Sequence, residues 1–249
     1  MLQFNRTNRD MIYPPFSLAH ILYLLISIIL IFLGCKLMNS DRISDKKKMW
    51  IIKICALSLP IEVLFTQLDI VKECIGLGYD NTWVYVLPNS YCTFTALFMG
   101  IFVLLGKYDG KAMHFLTYHS LVGCLPSVIY PDYLNFRNFF AIGTLSSLVL
   151  HVMTIWITLA LTVTGKFKPT YKKFYCYPLG FLAAVAFGAI QIFVFGSRDA
   201  MNITKPLIAD ISFCYWYVIM PVCCLGTLLM TWVLKKIKVK NSVQFRAKL

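Results

Sequence analysis

Acidic residues are scarce in this chain: eleven among 249, against 24 lysines and arginines. Charge of either sign makes up only 14%, while 59% of the residues are hydrophobic, and this balance excludes an ordinary soluble domain. The nine cysteines are scattered with no C-x-x-C pair, and their usage is uninformative about redox. Most of them fall inside apolar runs, where a thiol is usually a small apolar filler. No glycine-rich nucleotide loop or haem motif is present. The four histidines, His20, His114, His119 and His151, do not form a spaced ligand set. No cofactor and no metal site are therefore expected, although a metal shared in space by Glu62, His20 and His151 is left open. Internal repeats and low-complexity stretches are also missing, so residues 1–249 read as one membrane domain with no soluble one. The basic excess forms no aromatic-interleaved groove, which argues against a nucleic-acid partner.

What the chain does have is seven apolar runs. They cover Phe16–Met38, Trp50–Ile70, Val84–Gly106, Phe115–Tyr130, Asn138–Thr164, Phe174–Gly196 and Ile211–Leu234. A hydrocarbon core of about 30 Å takes roughly 20 helical residues, and every run but the short fourth approaches or exceeds that. The basic residues collect at alternate connections. Lys36, Arg42, Lys46, Lys47, Lys48 and Lys53 flank the first, and Lys107 and Lys111 follow the third run. Lys166, Lys168, Lys172 and Lys173 follow the fifth, and Lys235, Lys236, Lys238, Lys240, Arg246 and Lys248 the seventh. Only Arg6, Arg9, Lys72, Arg137, Arg198 and Lys205 lie on the other side. Because lysine and arginine stay cytoplasmic, the expectation is an all-α, seven-helix transmembrane bundle with the N-terminus outside and the C-terminus in the cytoplasm. Its expected location is the cell membrane, multi-pass. The first run is too long for a signal-peptide core and lacks an A-x-A-like end, so it reads as a retained helix.

Polar side chains within these runs are the candidates for function, since they are costly in hydrocarbon and usually face an interior or a wet cavity. In the expected orientation His20 lies one turn below the outer surface, and Glu62 is the only acidic residue well within a run. Asn89, Ser90 and Cys92 follow Pro88 in the third run, and Asp132 closes the fourth. Thr144, Ser147, His151, Thr154 and Thr158 recur at three- and four-residue steps, so they share one helix face. Gln191 and Tyr215 occupy the outer parts of the sixth and seventh runs, whereas His119 falls on the inner side of the fourth. Together these predict a polar cavity opening outward. Serine and threonine also bond the carbonyl four residues back, so the stripe has a structural reading too. Pro60, Pro88, Pro126 and Pro221 inside the runs predict bent helices.

Several short motifs carry a family resemblance. Phe16-Ser17-Leu18-Ala19-His20 resembles the F-S-x-x-H start of the YwaF-like bacterial integral membrane proteins. Leu87-Pro88-Asn89-Ser90-Tyr91-Cys92 resembles their L-P-x-H-x-C motif, and Pro131-Asp132 and His151 fit the same pattern. Here Ser90 stands where that pattern has histidine, and Asn89 where the eukaryotic relatives carry cysteine after the proline. The family is similar to eukaryotic transmembrane acyltransferases acting on ether phospholipids, and more remotely to threonine/histidine lipid hydrolases. The resemblance implies acyl chemistry at a nucleophile near the third-run proline, with an intramembrane histidine.

Two functional expectations compete. The first is an acyl-transferring or acyl-hydrolysing enzyme on membrane lipids. Cys92 or Ser90 would be the nucleophile, His151 the base and Asn89 an oxyanion donor, with Glu62 or His20 orienting the histidine. Ser90 and Cys92 are about 200° apart around a helix, so both serve one cavity only if Pro88 unwinds it. The second is binding or transport of a small polar or amphipathic solute, with His20, Asp132, Ser147, Gln191 and Tyr215 among the contacts. An accessory subunit of a membrane complex is a third reading. The sequence does not set the oligomeric state.

Overall fold

The computed structural model describes residues 14–131, 134, 138–206 and 215–237, and the regular elements among them are all helical. In chain order they are α1 (Leu18–Met38), α2 (Asp45–Gly76), α3 (Tyr91–Leu104), α4 (Lys111–Val122), α5 (Cys124–Ile129), α6 (Ile142–Val163), α7 (Cys176–Phe193) and α8 (Trp216–Lys236). Helices α1, α2, α6, α7 and α8 are long and apolar enough to cross a membrane, and α3 is a shorter apolar helix. The protein is therefore a polytopic all-α membrane protein.

Two expected helices differ in form. The third run does not start as a helix at Val84: Thr82–Val86 is a 3-10 turn, Leu87 is extended, and α3 begins only at Tyr91. The cause is Pro88, whose ring pushes the preceding residue out of helical geometry. The fourth run is longer than its apolar stretch but broken. Pro126 has no N–H to offer the Val122 carbonyl. The helix is accordingly interrupted at Gly123, which closes α4 and opens α5. Residues 111–129 still rise about 28 Å at 1.5 Å per residue.

Helix α6 is the hub, packing against α1, α2, α3, α4 and α5, while α7 and α8 lean on α4. On α2, Ile52, Ala56, Leu59 and Val63 recur at three- and four-residue steps and are buried in the core shared with Met99, Val103 and Ile157. The α2–α3 seam is tight because residue 100 is glycine: a Cβ there would come within 2.8 Å of the Ala56 carbonyl oxygen. At the end of α2, Asp69 sits against Gly143 in the first turn of α6, where a carboxylate faces the positive end of the helix. At the opposite end of the bundle, Asp109 joins His114 Nε2 (2.8 Å) to Lys173 Nζ (3.6 Å).

Candidate functional site

The late start of α3 decides the site. Ser90 is the N-cap of that helix, and its hydroxyl accepts from Thr93 N while Thr93 Oγ1 accepts from Ser90 N. This capping box occupies both side chains. Cys92 then falls in the first turn, beside backbone donors that have no carbonyl partner within the helix. The segment leading into it is clamped from two other helices. Gln191 of α7 donates to the Pro88 carbonyl at 2.9 Å, and Gln67 of α2 donates to Asn89 Oδ1 at 3.3 Å. Met201 N donates to the Asn89 carbonyl at 2.7 Å.

The Cys92 thiol neighbours the Cys124 thiol and the rings of His151 and His119. Ser127 Oγ is 3.9 Å from Cys92 Sγ. The His151 ring is oriented by its own helix, Nδ1 donating to the Ser147 carbonyl one turn back at 2.5 Å. That bond places the proton on Nδ1 and leaves Nε2 as the lone-pair nitrogen. His119 is also buried, and its Nδ1 lies 3.1 Å from the Tyr177 hydroxyl of α7. Its Nε2 makes no hydrogen bond. That atom points over the α4–α5 break, since a Cβ on Gly123 would approach it to 2.5 Å. Tyr177 in turn interacts with Cys223 of α8. A thiol in the first turn of a helix, flanked by two buried imidazoles, can attack a carbonyl carbon.

The residues expected to share one chamber separate into groups. Cys92 and His151 meet, and Ser147 serves them through its carbonyl. Ser90 is spent on the helix cap, and Asn89 offers its side-chain oxygen to Gln67. Gln191 acts on the Pro88 carbonyl. His20 belongs to another contact: its Nε2 lies 3.1 Å from the Val128 carbonyl, and its Nδ1 accepts from Phe16 N. Glu62 is half-buried at the edge of the packed face of α2. Tyr215 precedes α8 and stacks on Tyr217. Asp132 lies outside the described residues. Sequence reasoning does not single out His119, Cys124, Tyr177 or Gln67 as site residues. The signal for the first two is the fourth run itself, where His119, Gly123-Cys124 and Pro126 crowd one short stretch.

Beside this cluster an apolar groove of about 280 Å³ runs between α3, α4 and α7. One wall is the stripe Phe94, Phe98 and Phe102, and the other includes Leu116 and Ala183. Phe115 lines it too, and its ring lies 5.6 Å from that of His119. Lys111 lies at one end.

The sequence model of the TMEM164 family matches residues 15–236, and the chain belongs to that family. No curated protein and no solved structure matches it.

Proposed function

We propose that this member of the TMEM164 family is a membrane enzyme that moves acyl groups between lipids through a Cys92 thioester. The observation carrying the reading is the Cys92 thiol set against the His151 ring, whose far nitrogen is held by the Ser147 carbonyl. This is the nucleophile, base and orienting group of covalent acyl chemistry, with a main-chain carbonyl as the third member. His151 takes the thiol proton as sulfur attacks the ester carbonyl, then returns it to the leaving alcohol. The first-turn amides of α3 would hold the oxyanion. The lipid substrate rests on the groove walled by Phe94, Phe98 and Phe102, and on the likeness to YwaF-like proteins and ether-phospholipid acyltransferases. In this reading Cys92, rather than Ser90, is the nucleophile, because the Ser90 hydroxyl is committed to its helix cap. The bundle would cross the cell membrane seven times, with its lysine-rich ends in the cytoplasm.

The test is purified protein in liposomes, with a phospholipid acyl donor and a lysophospholipid acceptor. Wild type is expected to transfer acyl chains and to carry a hydroxylamine-sensitive acyl group on Cys92. Cys92→Ala should abolish both, and His151→Gln should reduce the rate by about 10²–10⁴-fold. Transfer at the wild-type rate in Cys92→Ala would reject the reading. Filling the groove with Ala183→Phe is expected to shift the preference toward shorter chains. An unchanged chain profile would remove the groove from the substrate path.

A further inference from the structure

Two imidazoles flank one thiol, and only one is needed to deprotonate it. We infer, resting on the acyl-transfer reading of Cys92, that His119 is a second base, reserved for the hydroxyl of the incoming acceptor, and that Tyr177 positions it.

The two rings are held differently. His151 is tied to its own helix through the Ser147 carbonyl, on the same α6 face that meets Cys92. His119 comes from α4 and is oriented from α7, with its Nδ1 3.1 Å from the Tyr177 hydroxyl. Its Nε2 is buried and without a hydrogen bond, and the ring packs directly on the bare backbone of Gly123. A buried polar atom left unsatisfied costs stability, so such an atom marks either strain or an absent ligand. A hydroxyl group donating to Nε2 would supply the missing partner, with its oxygen turned toward the sulfur-bound carbonyl. The ring also abuts the groove wall at Phe115, so a lipid tail lying in the groove brings its glycerol end toward His119.

The proton balance closes. In the first half, the Cys92 proton passes to His151 and on to the departing alkoxide, leaving a thioester and two neutral rings. In the second half, the acceptor hydroxyl gives its proton to His119 Nε2 as its oxygen attacks the thioester carbon. The tetrahedral intermediate expels the Cys92 sulfur, which takes that proton from the neighbouring His119 ring. The net change is one ester exchanged for another, with no oxidant or cofactor consumed.

The test separates the half-reactions. Purified His119→Gln in liposomes is mixed with labelled donor phospholipid, first alone and then with lysophospholipid. Acyl-Cys92 should form at close to the wild-type rate and accumulate, while transfer to the acceptor falls by about 10²–10⁴-fold. His151→Gln should instead fail to form acyl-Cys92. Tyr177→Phe keeps the ring but frees it, and should slow only the second step, by about five- to tenfold. If His119→Gln blocks acyl-Cys92 formation as His151→Gln does, or leaves the second step unchanged, the division of labour is wrong although the thioester mechanism stands. A full transfer rate in Cys92→Ala sinks both together. Because acyl-Cys92 forms only in folded protein, its appearance in His119→Gln also excludes misfolding as the cause of a slow second step.

Discussion

Helices α1 and α6 are nearly equal in length, 21 and 22 residues, and both are apolar enough to cross a membrane. In α6, 78% of the apolar window is buried inside the protein; in α1 the share is 11%. The less apolar helix is the central one. In water the order would be reversed, because burial there follows hydrophobicity. In lipid the surroundings of the bundle are as apolar as leucine, so no hydrophobic gain drives a helix inward. What draws α6 to the centre is its ability to bond and pack. Thr158 Oγ1 lies 2.6 Å from Ser120 Oγ of α4, His151 reaches Cys92 of α3, and Trp156 lies against Gly34 of α1. Helix α1 sends few polar groups inward, chiefly His20 and Tyr23, whose hydroxyl donates to the Leu148 carbonyl at 2.9 Å. The catalytic candidates thus sit on the helices that polar contacts have already gathered.

The comparison breaks first at the centre. Ile157 is fully buried among the helices packed on α6. Ile157→Ala would leave a cavity that rigid helices close only in part, at a cost of about 2–5 kcal/mol. In detergent, thermal unfolding should move down clearly, and the thioester label on Cys92 should be lost in proportion to unfolding. An unchanged unfolding temperature would mean that α6 is not the packed hub.

A smaller effect is expected at the clamp on the segment before α3. Gln191→Leu removes the donor to the Pro88 carbonyl and leaves that carbonyl unpaired in a buried setting, costing about 1–3 kcal/mol. The fold should survive. Acyl transfer should fall by up to about a hundredfold, because the start of α3 and the Cys92 sulfur would no longer be held in place. Circular dichroism alongside the rate measurement checks this. A rate that drops only with helix content would make Gln191 a packing residue and nothing more.

The helices were legible from the sequence because lipid imposes a length and an apolar composition on each crossing. Helices α1, α6, α7 and α8 match their runs to within about five residues at each end, whereas α2 overruns its own run by five residues at the start and six at the end. The third and fourth runs depart in form. Those two failed for one reason, proline. Pro88 delays α3 and Pro126 breaks α4 from α5, and hydropathy does not register a lost N–H. The same two places hold most of the site. The pairing of Cys92 with His151 could be anticipated because both stood out as polar in apolar runs. The approach of His119 could not. Its depth depended on α4 starting at Lys111, four residues before the apolar run, and on the turn inserted at Gly123. Ser90 is the opposite case: that it also caps α3 shows only when the helix boundary is known.

The smallest effect is expected on the outer face of α1, and it tests the comparison from the other side. Leu25, Ile28, Ile29 and Phe32 are each more than half exposed, Phe32 at 66%. If lipid tails cover them, Phe32→Ala exchanges one apolar contact for another and should change stability by less than about 0.5 kcal/mol. Acyl transfer should be unaffected as well, since none of the four residues is among the groups that meet the Cys92 thiol. The measurement is paired unfolding of Phe32→Ala and Ile157→Ala under one set of conditions. Equal losses in the two would mean that the exposed face of α1 is packed against protein rather than lipid, and the low burial of this helix would then describe the isolated chain and not its working state.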